Sequence, residues 1–304
     1  MPTNNQIIPK TFLGEDYILI WVEQFLKAKK SENKTKGTVV FYKKKLKGFT
    51  DYLETQEIRY ISQITANNIR DFLLLLEERG HNAGGIHGYY RSIKVFLKWY
   101  WEEEEIERTN PISKVKAPKV PVEPIEGISR EQFESLLSEC RGGFFGERDK
   151  AILYALYDTG VRANELCDIK LENLNLLDNS ILIEQGKGEK PRFVFFGKKT
   201  KKQIRRYLSL RGGEGKYLFS NTAGDRIDYE TLRAVVRRLS LKAGVEGVSL
   251  HDFRRAFCLN LVQAGVPEIT IARLMGHTTT VLIGRYARQK KVDLGNSYKS
   301  PLDD

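Results

Sequence analysis

Apolar residues in the first hundred positions recur at steps of three and four. Tyr17, Trp21, Phe25 and Leu26 form one stripe, and Val39, Val40, Tyr42, Leu46, Phe49 and Leu53 form a second. That period belongs to helices with one buried face. Thr65 stands where an N-cap belongs, ahead of Ile69, Phe72, Leu73 and Leu76, and Gly80 closes the segment. Ile86 to Trp101 repeats the pattern with Tyr89, Tyr90, Ile93, Phe96, Leu97 and Tyr100. Four helices with short loops predict a small bundle over residues 12–107. Pro111, Pro118, Pro121 and Pro124 then fall close together. Proline fixes φ and removes a backbone donor, so residues 108–127 are expected to form an extended, semi-rigid connector.

Residues 128–304 read differently. Ser129 with Gln132 fits a capping box that opens a helix through Leu137, and Asp149 to Thr159 is an apolar-rich helix broken at Gly160. Between Ile181 and Phe196 two β-type runs, ILIEQ and RFVFF, flank GKGEKP and predict a hairpin. Helices follow around 200–210, 228–243, 249–263, 267–275 and 279–290. The expectation is a mainly α protein, with a four-helix bundle followed by a mostly α domain that carries one small β-hairpin or sheet.

Composition narrows the function. A chain of 304 residues suits two domains, and 41% hydrophobic with 29% charged residues is ordinary for globular proteins. No apolar run reaches the roughly 18 residues a membrane span needs. The start, MPTNNQIIPK, lacks the apolar core of a secretion signal, so a cytoplasmic location is expected. Cys140, Cys167 and Cys258 are far apart, which indicates neither a disulfide framework nor a zinc site. The expectation is that no metal and no cofactor is needed. The net charge is +11, and residues 111–304 hold 33 Lys+Arg against 24 Asp+Glu. In the first part, Lys27 to Lys47 contains nine lysines and one glutamate, while Glu102 to Glu107 contributes five glutamates. Such lysines either coat a solvated helix face or neutralise phosphates.

Five short segments carry candidate chemistry. Thr159-Gly-Val-Arg162-Ala-Asn-Glu165-Leu places Arg162 and Glu165 one turn apart on one face. Gln185-Gly-Lys187-Gly-Glu-Lys190-Pro-Arg192 sets a lysine between glycines at a hairpin tip. Ser249-Leu-His251-Asp252-Phe253-Arg254-Arg255 puts His251 and Arg254 on one face at a helix N-terminus, which suits an anion. Gly276-His277 follows a helix end, and Gly284-Arg285-Tyr286-Ala287-Arg288 sets a tyrosine between arginines nine residues after His277. Singly, each has a plain structural reading: a buried ion pair, a turn lysine, a helix cap, a packed tyrosine.

In combination and in this order, TGxRxxEL, GKGxK, HxxR, GH and the distal tyrosine resemble the tyrosine recombinase (phage integrase) family, over residues 126–304. The preceding bundle resembles that family's SAM-like core-binding domain. The resemblance implies a C-shaped clamp on double-stranded DNA bearing a specific recombination site, and a homotetramer on two duplexes. It implies that Arg162 and Arg254 clamp the scissile phosphate and Tyr286 attacks it, leaving a 3′-phosphotyrosyl link that leads through a Holliday junction. His251 would accept the tyrosine proton, Lys187 would protonate the leaving 5′-oxygen, His277 would bind a phosphate oxygen, and Glu165 would orient Arg162. Neither metal nor ATP is required, since the covalent link conserves the phosphodiester energy. Candidate DNA contacts are Lys34, Lys36, Lys43, Lys44, Lys45 and Lys47 in the bundle. In the second domain they are Arg192, Lys198, Lys199, Lys201, Lys202, Arg205, Arg206 and Arg255.

Arg255 and Arg288 stand where many relatives carry histidine, which loosens assignment to the Xer subgroup. The tail over 287–304 is long enough to dock on a neighbouring protomer. The chain starts almost directly at the bundle, as in simple Xer-type or mobile-element recombinases. A type IB topoisomerase-like enzyme and a non-cutting DNA-binding relative are the competing readings. The compact N-terminal bundle disfavours the first, and the presence of Tyr286 disfavours the second. A metal-dependent nuclease lacks a third carboxylate beside Glu165 and Asp168.

Overall fold

The computed structural model describes residues 16–121, 126–184, 191–212 and 215–276. The chain divides into two compact units, Met1–Val122 and Glu123–Asp304.

The first unit is the expected four-helix bundle: α1 (Ile18–Ser31), α2 (Lys36–Thr55), α3 (Ala66–Glu78) and α4 (Ala83–Glu103). Side chains satisfy the orphan N–H groups where three of these helices begin. Thr35 accepts from the Thr38 N–H at 3.2 Å, Thr65 from Asn68 at 3.3 Å and Asn82 from Gly85 at 2.7 Å. The apolar stripes meet in one core, in which Phe25, Leu46, Phe49, Leu53, Ile69, Phe72, Ile93 and Phe96 are fully buried. The Phe49 and Phe72 rings lie 5.1 Å apart and those of Phe25 and Phe96 5.6 Å apart. The proline-rich stretch begins inside this unit. Pro111–Lys114 forms a short 3-10 turn, Ile112 and Val115 enter the core, and the Tyr90 hydroxyl donates to the Val115 carbonyl at 3.1 Å.

The second unit holds α5 (Arg130–Ser138), α6 (Gly143–Thr159), α7 (Ala163–Asp168), β1 (Leu174–Asn175), β2 (Ser180–Ile183), β3 (Arg192–Phe195), α8 (Lys198–Arg211), α9 (Tyr229–Ala243), α10 (Leu250–Gln263) and α11 (Glu268–Met275). α6 is central: Ala151, Ile152, Leu153, Ala155 and Leu156 are all fully buried. Its first turns escape the hydrophobic pattern because Glu147, Arg148 and Asp149 are buried as ion pairs. Arg148 meets Asp149 at 3.0 Å, Arg206 meets Glu147 at 2.9 Å, and Arg238 also pairs with Asp149. The expected hairpin becomes a three-stranded antiparallel sheet in the order β1-β2-β3, with Leu174 opposite Ile181 and Ile183 opposite Arg192. Two residues are too few for β1 to show a period in the sequence. A separate cluster of Cys258, Ile271, Ala272 and Met275 packs α10 against α11. The helix expected over 279–290 and the tail over 287–304 lie outside the described residues. Among those residues, no helix is long and apolar enough to cross a membrane.

Candidate active site

Two left-handed glycines place the arginines of the site. α6 ends at Gly160 (φ 61°), where a Cβ would lie 2.2 Å from the Phe257 ring. Only glycine meets both demands. The chain therefore reverses at once and sets Arg162 as the N-cap of α7. Glu165, three residues on, accepts from the Arg162 backbone N–H at 2.7 Å through Oε2 and from Arg162 Nη1 at 2.8 Å through Oε1. α11 ends at Gly276 (φ 63°), the second such glycine.

The last carbonyls of a helix have no partner within it and carry the negative end of its dipole. In α11 and its cap three successive carbonyls each receive a different arginine. Arg192 Nε donates to Leu274 at 2.9 Å, Arg254 Nη2 donates to Met275, and Arg162 Nη2 donates to Gly276 at 3.2 Å. Arg254 Nη1 also donates to the Gly160 carbonyl at 2.7 Å. Arg162 and Arg254, 92 positions apart in sequence, are thereby brought to one place by the ends of α6 and α11.

Exposure separates the two. Arg254 is 3% exposed, whereas the Arg162 side chain is 36% exposed. Glu165 is held by a second cation as well, because Arg192 Nη1 and Nη2 donate to its two oxygens at 2.9 and 2.8 Å. Burial opposes ionisation of Glu165, but the Arg192 fork and the Arg162 N–H outweigh it and bring its pKa down to about 2. The carboxylate is therefore ionised at any working pH.

His251 stands in the first turn of α10. Asp252 fixes that turn by accepting from the Ser249 N–H at 2.7 Å and from its hydroxyl at 2.6 Å. Although His251 is exposed as a residue, partial burial of its imidazole pushes its pKa below the ordinary value. Arg255, Arg254 and Arg162 push the same way, against Asp252. The imidazole is thus kept neutral and able to accept a proton. Arg255 lies at the rim, 2.9 Å from Asp252.

Lys187, His277 and Tyr286 lie outside the described residues. Arg192 differs from its expectation as a DNA contact. Its side chain is 10% exposed and committed to Glu165 and Leu274. The sequence did hold a signal for this, because Arg192 alternates with the buried Val194 and Phe196 and so shares their inward face. Lys45 also differs: its ammonium sits 3.8 Å from the Tyr89 ring centroid, and burial lowers its pKa. Lys34, Lys36, Lys43, Lys44 and Lys47 are exposed, as are Lys198, Lys199, Lys202, Arg205 and Arg206, while Lys201 is half-buried. The roles of the Leu274 to Gly276 carbonyls and of the Gly160 carbonyl had no signal in side-chain identity. Among the described residues, no group of three or more His, Cys, Asp or Glu could hold a metal ion.

Comparison with known proteins agrees with this geometry. Residues 126–292 match the phage integrase family, and residues 22–104 match its N-terminal SAM-like domain. The chain belongs to the phage integrase family. It is similar to the tyrosine recombinase XerA of Thermococcus kodakarensis, at 28% identity over 260 residues that cover 84% of this chain and 86% of that protein. It is likewise 28% identical to the tyrosine recombinase XerC of Staphylococcus carnosus over 270 residues, 87% of this chain and 90% of that one. Its fold is similar to that in the crystal structure of a lambda integrase tetramer bound to a Holliday junction. The TM-score is 0.73 at 16% identity, covering 94% of this chain and 83% of the other.

Proposed function

We propose that this protein is a site-specific DNA recombinase that cuts and rejoins DNA strands through a 3′-phosphotyrosyl intermediate, without metal or ATP. The observation that carries the reading is the gathering of Arg162 and Arg254 on adjacent carbonyls at the end of α11, with His251 one helical turn from Arg254 on α10. A phosphodiester displacement builds negative charge on non-bridging oxygens, and fixed cations stabilise it without reorganising. Arg162 and Arg254 supply that charge.

The Tyr286 oxygen attacks the scissile phosphorus while the bond to the 5′-oxygen breaks. The phenol has an ordinary pKa of about 10 and needs a proton acceptor, which is His251. Lys187 gives a proton to the leaving 5′-oxygen, and His277 hydrogen-bonds a phosphate oxygen. Attack of a 5′-hydroxyl from the other duplex reverses the chemistry and rejoins the strands. Residues 12–107 form the DNA-gripping domain, residues 108–127 the connector, whose first part over Pro111 to Val115 packs into the bundle, and residues 128–304 the catalytic domain with its tail over 287–304. The exposed lysines of α2 and α8 contact phosphates. Assembly is a homotetramer on two duplexes, in keeping with the tetramer formed by the similar lambda integrase. The work is done in the cytoplasm.

The test is covalent trapping on a nicked suicide duplex carrying candidate sites, in the presence of EDTA. A denaturation-resistant protein–DNA band is expected from the native chain and not from Tyr286→Phe, which still binds the duplex. A band that persists in that variant assigns the nucleophile to another residue, such as Tyr298. A band that disappears only on adding EDTA refutes metal independence.

A further inference from the structure

Glu165 accepts four hydrogen bonds, two at each oxygen, and two guanidinium groups share its single negative charge. A carboxylate has about four lone-pair positions, so its capacity is filled. Arg192 supplies two of the four bonds in a fork that only arginine presents. The same guanidinium donates to the Leu274 carbonyl and presses on the reversal at Gly276, where a Cβ would lie 2.9–3.1 Å from three of its atoms. One side chain of β3 therefore touches both the partner of Arg162 and the helix end whose carbonyls receive Arg162 and Arg254.

We propose that Arg192 is a positioning residue for strand cleavage, acting through Glu165 on Arg162 and through the Leu274 carbonyl on the end of α11. The proposal rests on the recombinase reading above. Its physical content is a charge balance. Among the described residues, two guanidiniums face the one carboxylate of Glu165 when Arg192 is in place, which leaves positive charge at Arg162 for the phosphate. Without Arg192, Glu165 pairs one-to-one with Arg162 and cancels it. Glu165 also loses the fork that fixes its plane, so the Arg162 guanidinium loses its alignment. β3 follows the segment that contains Lys187, so the same contact ties that strand to the chain leading into His277.

The test compares Arg192→Gln and Arg192→Lys with the native chain in single-turnover cleavage of preformed complexes on the suicide duplex, alongside Kd and its salt dependence. Arg192→Gln is expected to slow cleavage in the complex at least tenfold and to leave Kd within twofold. Arg192→Lys recovers part of the rate. Its cleavage per bound complex keeps the test available if the glutamine variant folds poorly. In a Glu165→Gln background the loss from Arg192→Gln shrinks, and what remains is the part carried by the Leu274 carbonyl. The Glu165 carboxyl of the glutamine variant also titrates nearer the ordinary carboxylate range, because the Arg192 fork no longer holds it down. A role apart from the Glu165 pairing would not move that titration.

Unchanged cleavage in the complex, with weaker binding and a salt slope reduced by about one, would make Arg192 a phosphate contact and overturn the proposal. Independent, multiplying losses from Arg192→Gln and Glu165→Gln would overturn it too. One reading needs no cleavage: NMR titration of the Glu165 carboxyl. A carboxyl that titrates in Arg192→Gln as it does in the native chain overturns the proposal. The absence of any covalent product from the native chain on every duplex it binds instead refutes the recombinase reading, with the titration still deciding the role of Arg192.

Discussion

The bundle and the second unit treat ionisable side chains in opposite ways. In the bundle the core is built from aromatic and aliphatic residues, and its lysines lie mostly at the surface. Lys29, the one charged residue buried there among those described, pairs with Glu32 and holds its ammonium 5.2 Å from the Phe25 ring centroid. The second unit buries Glu147, Arg148, Asp149 and Arg254, and half-buries Glu165 and Arg192. Buried ion pairs add little net stability, because desolvation of both charges offsets their attraction. Their presence therefore marks a demand other than stability. At the end of α11 that demand is geometric: three cations held within one turn of each other, next to a histidine kept neutral. Close-packed hydrocarbon is enough for a domain whose task is to present a surface. A domain that must stabilise a phosphate in flight needs charges that do not move.

The contrast can be broken from either side. The largest effect is expected from Phe49→Ala, which empties a fully buried ring position in contact with Phe72. A loss of about 3–5 kcal/mol is expected on denaturant unfolding. A change below about 1 kcal/mol would mean that the bundle does not depend on that core. Arg162→Lys tests the other side, since lysine keeps the charge and loses the fork. Cleavage in the complex is expected to fall by about 10²–10³, a loss of about 2.7–4 kcal/mol of transition-state stabilisation, with the unfolding midpoint nearly unchanged. Near-native cleavage would show that a point charge suffices.

Gly276→Ala is intermediate. It combines a left-handed φ with a methyl group pressed on the Arg192 guanidinium. A cost of about 1–3 kcal/mol is expected in stability, together with a drop in cleavage, read by thermal melts and covalent trapping. The smallest effect is a pH shift. Burial lowers the His251 pKa first and Arg255 adds to it. Removing that cation in Arg255→Ala raises the pKa, so His251 protonates at higher pH and the acid limb of cleavage moves upward. The shift shrinks as salt screens the charge. An acid limb that stays in place would indicate another proton acceptor.

The sequence analysis reached the four bundle helices because their apolar stripes keep one period and because a cap is local: Thr65 acts on Asn68, three residues on. It missed the first turns of α6, where polar residues are buried through partners on α8 and α9 that no local pattern discloses. Around the site, Arg162 with Glu165 was legible as a one-turn pair, and His251 with Arg254 as one face of a helix start. Arg192 was read as a DNA contact by its charge near a hairpin, whereas its register turns the side chain inward onto Glu165 and the Leu274 carbonyl.

Sequence alone determined the helix periods, the caps and the identity of the cations, since each depends on residues within a few positions of one another. Tertiary structure decided where those cations point. Their anchors are main-chain carbonyls at Gly160, Leu274, Met275 and Gly276. Every residue has such a carbonyl, so side-chain identity cannot announce it. Only the fold, by ending two helices at left-handed glycines beside one another, makes those carbonyls into the seat of the site.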